Sequence, residues 1–306
     1  MMITPRQAMD GYLSGRAARP VLAPFVERLA ARVTGTSYQA MGADAGNYTA
    51  ALSKTANLLG LDAVVVGADD TLLAEALGAT IVWRDGRPEL GAPPLALADE
   101  PAMQARLKVA IEAASRLFQV IRGAQGCIAA MTGPATLASQ IYGQAGMADG
   151  LSALKPALVS VAEAYCKTRP DILLLLETQS HLSAGDSRLR RTLSAIKNVA
   201  SYYDVRFGIY AASYVPADLA AFNADVIVLG GDESLMPEAV SALGQSSSPL
   251  GLALPMGRGA CADIIRSIQD TSKSETMFLL TSSGDIAADA DIERLRNELS
   301  QLRELR

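Results

Sequence analysis

Residues Asp62–Gly78 read DAVVVGADDTLLAEALG, and the reading of this stretch decides the fold. Ala63 to Val66 is an unbroken apolar run rich in β-branched residues. A run without polar alternation predicts a strand buried on both faces, the kind found in parallel sheets. It gives way to two adjacent carboxylates, Asp69 and Asp70, and then to a helix-forming segment. Parallel α/β proteins place their chemistry at the carboxyl ends of strands. The stretch therefore predicts a strand, an acidic strand end that is a candidate site, and a helix.

Seven further apolar runs share the pattern: Pro20–Phe25, Cys127–Met131, Ile172–Leu176, Arg206–Ala211, Val226–Leu229, Leu250–Leu254 and Thr276–Leu280. Between them lie stretches with a period near 3.6, such as Glu100–Ile121, Leu151–Tyr165 and Ser187–Tyr202, which predict helices. Eight strands alternating with helices in 306 residues predict one (β/α)8 TIM barrel spanning residues 1–306 as a single domain. A doubly wound sheet is the alternative, but no GxGxxG follows an early strand. Thr80–Trp83, followed by Asp85-Gly86, predicts one arm of a hairpin inserted after the second barrel strand. Gln245–Ser248 is Ser-rich and reads as a loop.

The barrel frame names the rim. Asp69, Asp70, Thr132, Gly133, Glu177, Thr178, Ser213, Tyr214, Asp232, Glu233, Met256, Arg258, Ser282, Ser283 and Asp285 all follow predicted strands. That rim is acidic, with Arg258 as its obvious cation. Composition excludes other classes: the chain is 50% hydrophobic and 19% charged, as globular proteins are. A net charge of −5 argues against a general nucleic-acid binder, and no run of eighteen apolar residues offers a membrane span. The start MMITPRQAMDGYL lacks the apolar core of a signal peptide. Three scattered cysteines, Cys127, Cys166 and Cys261, predict a reducing cytoplasm and no disulfide framework.

Several segments resemble the uroporphyrinogen decarboxylase superfamily, which also contains methyltransferases serving corrinoid proteins. Asp62–Gly78 resembles its strand, acid and ALG-ended helix; Gly133–Ser139, GPATLAS, resembles its GP-[FW]-TLAS turn; and the stretch from Met277 to Glu298 resembles its last strand, loop and helix. The start ARPVLAPFVERLAARVTGTS is similar to the subgroup related to the methyltransferases. The resemblance implies a TIM barrel and a homodimer. Departures are equally informative. The arginine motif that holds porphyrinogen carboxylates falls on Leu22 to Arg28, with no arginine directly after the strand. The family tyrosine falls on Gln140 and the family histidine on about Ser283. The zinc-binding His-x-Cys pair and cysteine of the methyltransferases fall on Tyr210-Ala211-Ala212-Ser213 and Thr281-Ser282-Ser283-Gly284, so no zinc ligand is expected.

Asp69 and Glu177 are the expected catalytic residues. Asp69 would place or transfer a proton; its other reading is a helix N-cap, a role that falls to Asp70 instead. Glu177 with Thr178 would hydrogen-bond the substrate, or serve only as a satisfied rim carboxylate. Arg258 would grip a carboxylate or form a rim salt bridge to Asp232 or Glu233. Asp70, Thr178, Gln140, Tyr210, Tyr214 and Ser283 complete the expected substrate-binding set. His181, the only histidine, reads as a surface-loop residue. Among the cysteines, Cys261 has the best claim to reactivity because it starts a helix. The expected activity is metal-independent and decarboxylase-like, on a small or tetrapyrrole-like carboxylate. Methyl transfer with a corrinoid protein but without zinc is the alternative, and a ligand- or partner-binding barrel the second.

Overall fold

The computed structural model describes residues 3–244, 249–273 and 276–305; the predicted loop Gln245–Ser248 lies outside them. Ten strands occur in chain order: β1 (Val21–Leu22), β2 (Ala63–Val66), β3 (Ile81–Arg84), β4 (Arg87–Leu90), β5 (Gly126–Thr132), β6 (Ile172–Glu177), β7 (Arg206–Ala211), β8 (Val226–Leu229), β9 (Leu250–Leu254) and β10 (Leu279–Ser282). Eight form one parallel sheet in the order β1-β10-β9-β8-β7-β6-β5-β2, a TIM barrel closed except along the β1–β2 seam. Strands β3 and β4 pair antiparallel as a separate hairpin turning at Asp85-Gly86, as the sequence predicts. No helix of the described residues is long and apolar enough to cross a membrane.

Alternation sorts each strand between two cores. Ala63, Val65, Ile128, Ala130, Ile172, Leu174, Leu176, Val226 and Val228 fill the barrel interior. Their neighbours Val64, Val66, Ala129, Leu173 and Leu175 meet the helices outside. Both faces are buried, so the strands read as continuous apolar runs rather than alternating ones. The helix Pro5–Leu13, with a Thr4/Gln7 capping box, plugs the amino-terminal end; Tyr12 donates to the Leu250 carbonyl at 3.1 Å.

Aspartates placed directly before three strands stitch that lower edge. Asp62 accepts from Leu22 N (3.0 Å), Asp171 from Cys127 N (2.7 Å) and Asp225 from Phe207 N (2.9 Å). The open seam depends on this device most. Asp62 N also donates to the Leu22 carbonyl, and Arg19 grips the Asp62 carboxylate through two 2.7 Å bonds. At the upper end of the seam, Glu27 Oε1 accepts from Gly67 N (2.7 Å) and Ala68 N (3.1 Å).

Two strand boundaries differ from the sequence reading. The first strand shortens to two residues because Pro24 has no N–H and the Phe25 N–H turns to the Ser282 hydroxyl. The last pairs over Leu279–Ser282 rather than Thr276–Leu280, matching β9 in register through Leu254. The long helix Pro134–Lys167 breaks at Gly143, whose φ of 68° and ψ of 172° are extended and left-handed.

Candidate active site

The two acids that end the β2 unit take opposite roles. Gly67 turns the chain with φ 88°, where an added Cβ would stand 2.5 Å from the Ala130 carbonyl. Asp69 then folds back locally: its Oδ1 accepts from Thr71 N (2.9 Å) and the Thr71 hydroxyl (2.6 Å). Its Oδ2 meets the Arg106 guanidinium at 2.5 Å and the Tyr38 hydroxyl at 3.2 Å. Arg106, from the helix Ala105–Ile121, also bonds Glu75 and lies 5.1 Å over the Trp83 ring. The capping contact assigned to Asp70 by sequence thus belongs to Asp69, a short side chain two residues before the N–H it accepts.

Among the described residues no cation pairs with Asp70. Oδ2 accepts from the Thr178 hydroxyl (2.9 Å) and Gln179 Nε2 (3.3 Å). Its backbone carbonyl is pinned by Thr132 Oγ1 (2.9 Å) and Gln140 Nε2 (3.2 Å). Burial, reinforced by Asp69, pushes the Asp70 carboxyl above the ordinary carboxylate value, against the two side-chain donors. A fixed, cation-free carboxyl of raised affinity for its proton is the arrangement general acids use.

A second acid, missed by sequence, stands beside it. Glu27 is fully buried, and its Oε2 lies 2.9 Å from the same Tyr38 hydroxyl that reaches Asp69. A phenol has one hydrogen to give, so the two carboxyls compete for it, and a proton on either one relieves the competition. Asp69 faces Arg106, whereas Glu27 pairs with no cation among the described residues and burial raises its pKa. Glu27 is therefore the carboxyl of the pair that holds a proton more readily. Asp285 shares this low-dielectric patch and is pushed up to about 7, chiefly by burial and by Glu27. It keeps its contacts with the helix Glu27–Val33: Glu27 N at 2.8 Å, Arg28 N at 3.0 Å and the Arg28 side chain at 3.0 Å.

These groups converge on a cavity of about 230 Å³ at the carboxyl ends of the strands. Asp69, Asp70, Thr178, Tyr210 and Ser283 from the sequence-derived set line it, together with Glu27, Arg28, Tyr38 and Asp285. Phe25, Leu176 and Tyr210 supply an apolar wall, and Phe25 and Tyr210 are in ring contact at 5.9 Å. The hairpin adds Arg87, an exposed residue that also lines two adjoining cavities of about 490 and 680 Å³. Asp69, Glu177 and Arg258 do not share one cavity. Arg258 lines the 490 Å³ one and forms no rim salt bridge to Asp232 or Glu233 among the described residues. Gln140 acts through the Asp70 carbonyl, and the buried Tyr214 hydroxyl has no partner among the described residues.

Glu177 is completely buried outside the cavity lining, where its two oxygens accept from Ala135 N (3.0 Å) and Thr136 N (2.7 Å). It thereby caps, from a neighbouring strand, the helix that GPATLAS begins. Burial outweighs those bonds and pushes its carboxyl up to about 7. The motif's residues fit this role. A Cβ on Gly133 would come within 2.6 Å of Glu177 Oε1, and Thr136 Oγ1 accepts from Thr178 N at 2.9 Å. GPATLAS and Glu177-Thr178 are one interlocked unit that sets the loop carrying Thr178 to Asp70.

The positions on which the sequence resemblance would place zinc ligands are otherwise engaged. Tyr210 donates to the Ser283 carbonyl (3.1 Å), Ser213 Oγ meets His181 Nδ1 (2.8 Å) and Ser282 Oγ accepts from Phe25 N. Among the described residues no group of three His, Cys, Asp or Glu is placed to hold a metal ion, and these residues do not fit a zinc shell. His181 sits on an exposed loop. Cys127, Cys166 and Cys261 are all buried. Burial, together with Glu298, pushes the Cys261 thiol far up, overriding the helix N-terminus that favoured its reactivity.

Comparison with known proteins agrees with this architecture. No curated protein matches the chain. A methyltransferase from Methanosarcina mazei superposes with a TM-score of 0.77 at 17% identity, covering 99% of both chains. A B12-independent methionine synthase from Shewanella sp. W3-18-1 superposes with a TM-score of 0.60 at 14% identity, covering 94% of this chain and 96% of its own. These likenesses concern the fold. Residues 19–163, which include β1, β2, the hairpin and GPATLAS, match the family described as Uroporphyrinogen decarboxylase (URO-D), so this part of the chain is similar to that family.

Proposed function

We propose that the chain is an enzyme that replaces the carboxylate of a small acid by a proton, with Asp70 as the proton donor. The observation that carries this reading is the state of Asp70: in the cavity, without a cation partner among the described residues, held at four points and raised in pKa by burial. The carbon–carboxylate bond breaks with its electron pair left on carbon. The Asp70 proton forms the new C–H bond, CO2 leaves, and solvent restores the proton on Asp70. The apolar wall of Phe25, Leu176 and Tyr210 favours loss of charge as CO2 forms. Asp69, fixed by Arg106 and Thr71, sets the position of Asp70, and Glu177 does so through Thr136 and Thr178. A 230 Å³ cavity suits a small acid or a single pyrrole-sized ring.

The second reading is methyl transfer with a corrinoid protein and without zinc, favoured by the full-length likeness to the Methanosarcina mazei methyltransferase. Asp70 would then protonate the leaving group of the methyl donor. A panel of small carboxylic acids, aryl and pyrrole acetates among them, assayed for CO2 release tests the first reading. Methyl transfer from aryl methyl ethers to free cobalamin, in the same preparation, tests the second. CO2 release that needs the protein, with no methylcobalamin formed, supports decarboxylation. Methylcobalamin without CO2 release transfers the case to the second reading, and neither activity favours a binding barrel.

A further inference from the structure

The 490 Å³ cavity beside the reaction pocket is built by residues 255–258 after β9 and by Ser282 at the end of β10 with the loop 283–287 after it, with Arg87 of the hairpin as a third wall. Strands β9 and β10 are the seventh and eighth of the barrel, and the loops after those strands are where barrels of this kind hold phosphate groups. The local chain already holds one oxyanion. Gly257 N (2.5 Å), Gly259 N (3.0 Å) and Cys261 N (3.5 Å) all donate to the Glu298 carboxylate, which arrives from the last helix.

What remains on the walls is unbalanced toward positive charge. Both acids there are committed: Asp285 to the helix start at Glu27-Arg28, and Asp291 to Glu293 N (3.0 Å) and Arg294 N (3.1 Å). The guanidinium groups of Arg87 and Arg258 meet no carboxylate among the described residues, in a chain whose net charge is −5. Ser283 adds an exposed hydroxyl between them. We propose that this cavity is a subsite for an oxyanion group, phosphoryl or carboxylate, on the part of the substrate remote from the bond that breaks. The assignment rests on the proposed reaction only in taking the neighbouring pocket as the place of chemistry.

Calorimetric titration of inorganic phosphate and of succinate, at low ionic strength, tests it with four proteins: the unmodified chain, Arg258→Gln, Arg87→Gln and the surface control Arg190→Gln. At least one probe is expected to bind once per chain, and binding weakens roughly tenfold in Arg258→Gln and in Arg87→Gln but not in Arg190→Gln. Added salt weakens it further. Phosphate binding more tightly than succinate assigns the group as phosphoryl, and the reverse order assigns it as carboxylate. Binding of neither probe, or equal binding by Arg258→Gln and the unmodified chain, overturns the proposal. Asp70→Asn keeps oxyanion binding, so loss of the decarboxylation reading and loss of this subsite are separate results.

Discussion

Replacing Glu177 by Gln isolates one buried carboxyl that couples stability to pH. In the folded chain Glu177 takes its proton at about 7, against an ordinary value of 4.5. The folded state therefore holds this proton more tightly than the unfolded state. The group's favourable contribution is complete below pH 4.5 and is lost as pH rises through 7. At ~1.36 kcal/mol per pH unit, the displacement amounts to about 3 kcal/mol. Gln carries no titratable proton, so Glu177→Gln removes this dependence while Asp70, Glu27 and Asp285 keep theirs and cancel in the difference. The amide also turns an NH2 toward one of the Ala135 and Thr136 N–H groups, leaving a buried donor unpaired at a cost of about 1–3 kcal/mol. Urea unfolding at pH 5 and pH 8.5 reads both effects. Glu177→Gln should be the less stable protein at pH 5, and the gap should close or reverse by pH 8.5, moving by about 2–3 kcal/mol. A stability difference that stays constant across that range refutes the account of a proton-bearing buried cap.

Three other outcomes follow from the same geometry. Gly133→Ala drives a methyl group against Glu177 and should cost about 1–3 kcal/mol by overpacking; the penalty shrinks when Glu177 is also Ala, which a double-mutant cycle detects. Asp62→Ala strips the partner from Arg19 and from Leu22 N at the open seam, so a loss of about 3–5 kcal/mol in unfolding free energy is expected by denaturant titration. Burial favours the neutral form of Glu27, so Glu27→Gln should remove one protonated-carboxyl infrared band at pH 7, whereas an unchanged spectrum contradicts a protonated Glu27.

Most of the barrel was legible because its strands advertise themselves. Runs such as Ala63–Val66 and Ile172–Glu177 are buried on both faces, so composition alone marks them, and the Asp85-Gly86 turn marks the hairpin. The cavity was legible only where its residues end or follow strands, as Tyr210 at the end of β7 and Asp69, Asp70, Thr178 and Ser283 after their strands do. Glu27 and Arg28 stood in view in the segment after β1, but only the β1–β2 seam shows that Glu27 closes the barrel beside the site. Arg106 lies on a helix and Arg87 on the hairpin, and no local pattern tells which way such side chains fold over a rim. The exchange of roles between Asp69 and Asp70 has the same origin. Two adjacent carboxylates look alike in sequence, and only Arg106 and Thr71 on one, Thr178 and Gln179 on the other, distinguish them.

The most direct test of Asp70 as the proton donor is turnover of the active acid in deuterated water by the unmodified chain, Asp70→Asn and Asp69→Asn. The product should carry one deuterium on the carbon that lost CO2, and Asp70→Asn should lower kcat by about 10²–10⁴-fold while KM changes by only a few-fold. Asp69→Asn should retain measurable turnover. Full kcat in Asp70→Asn, with activity lost in Asp69→Asn instead, would contradict the account.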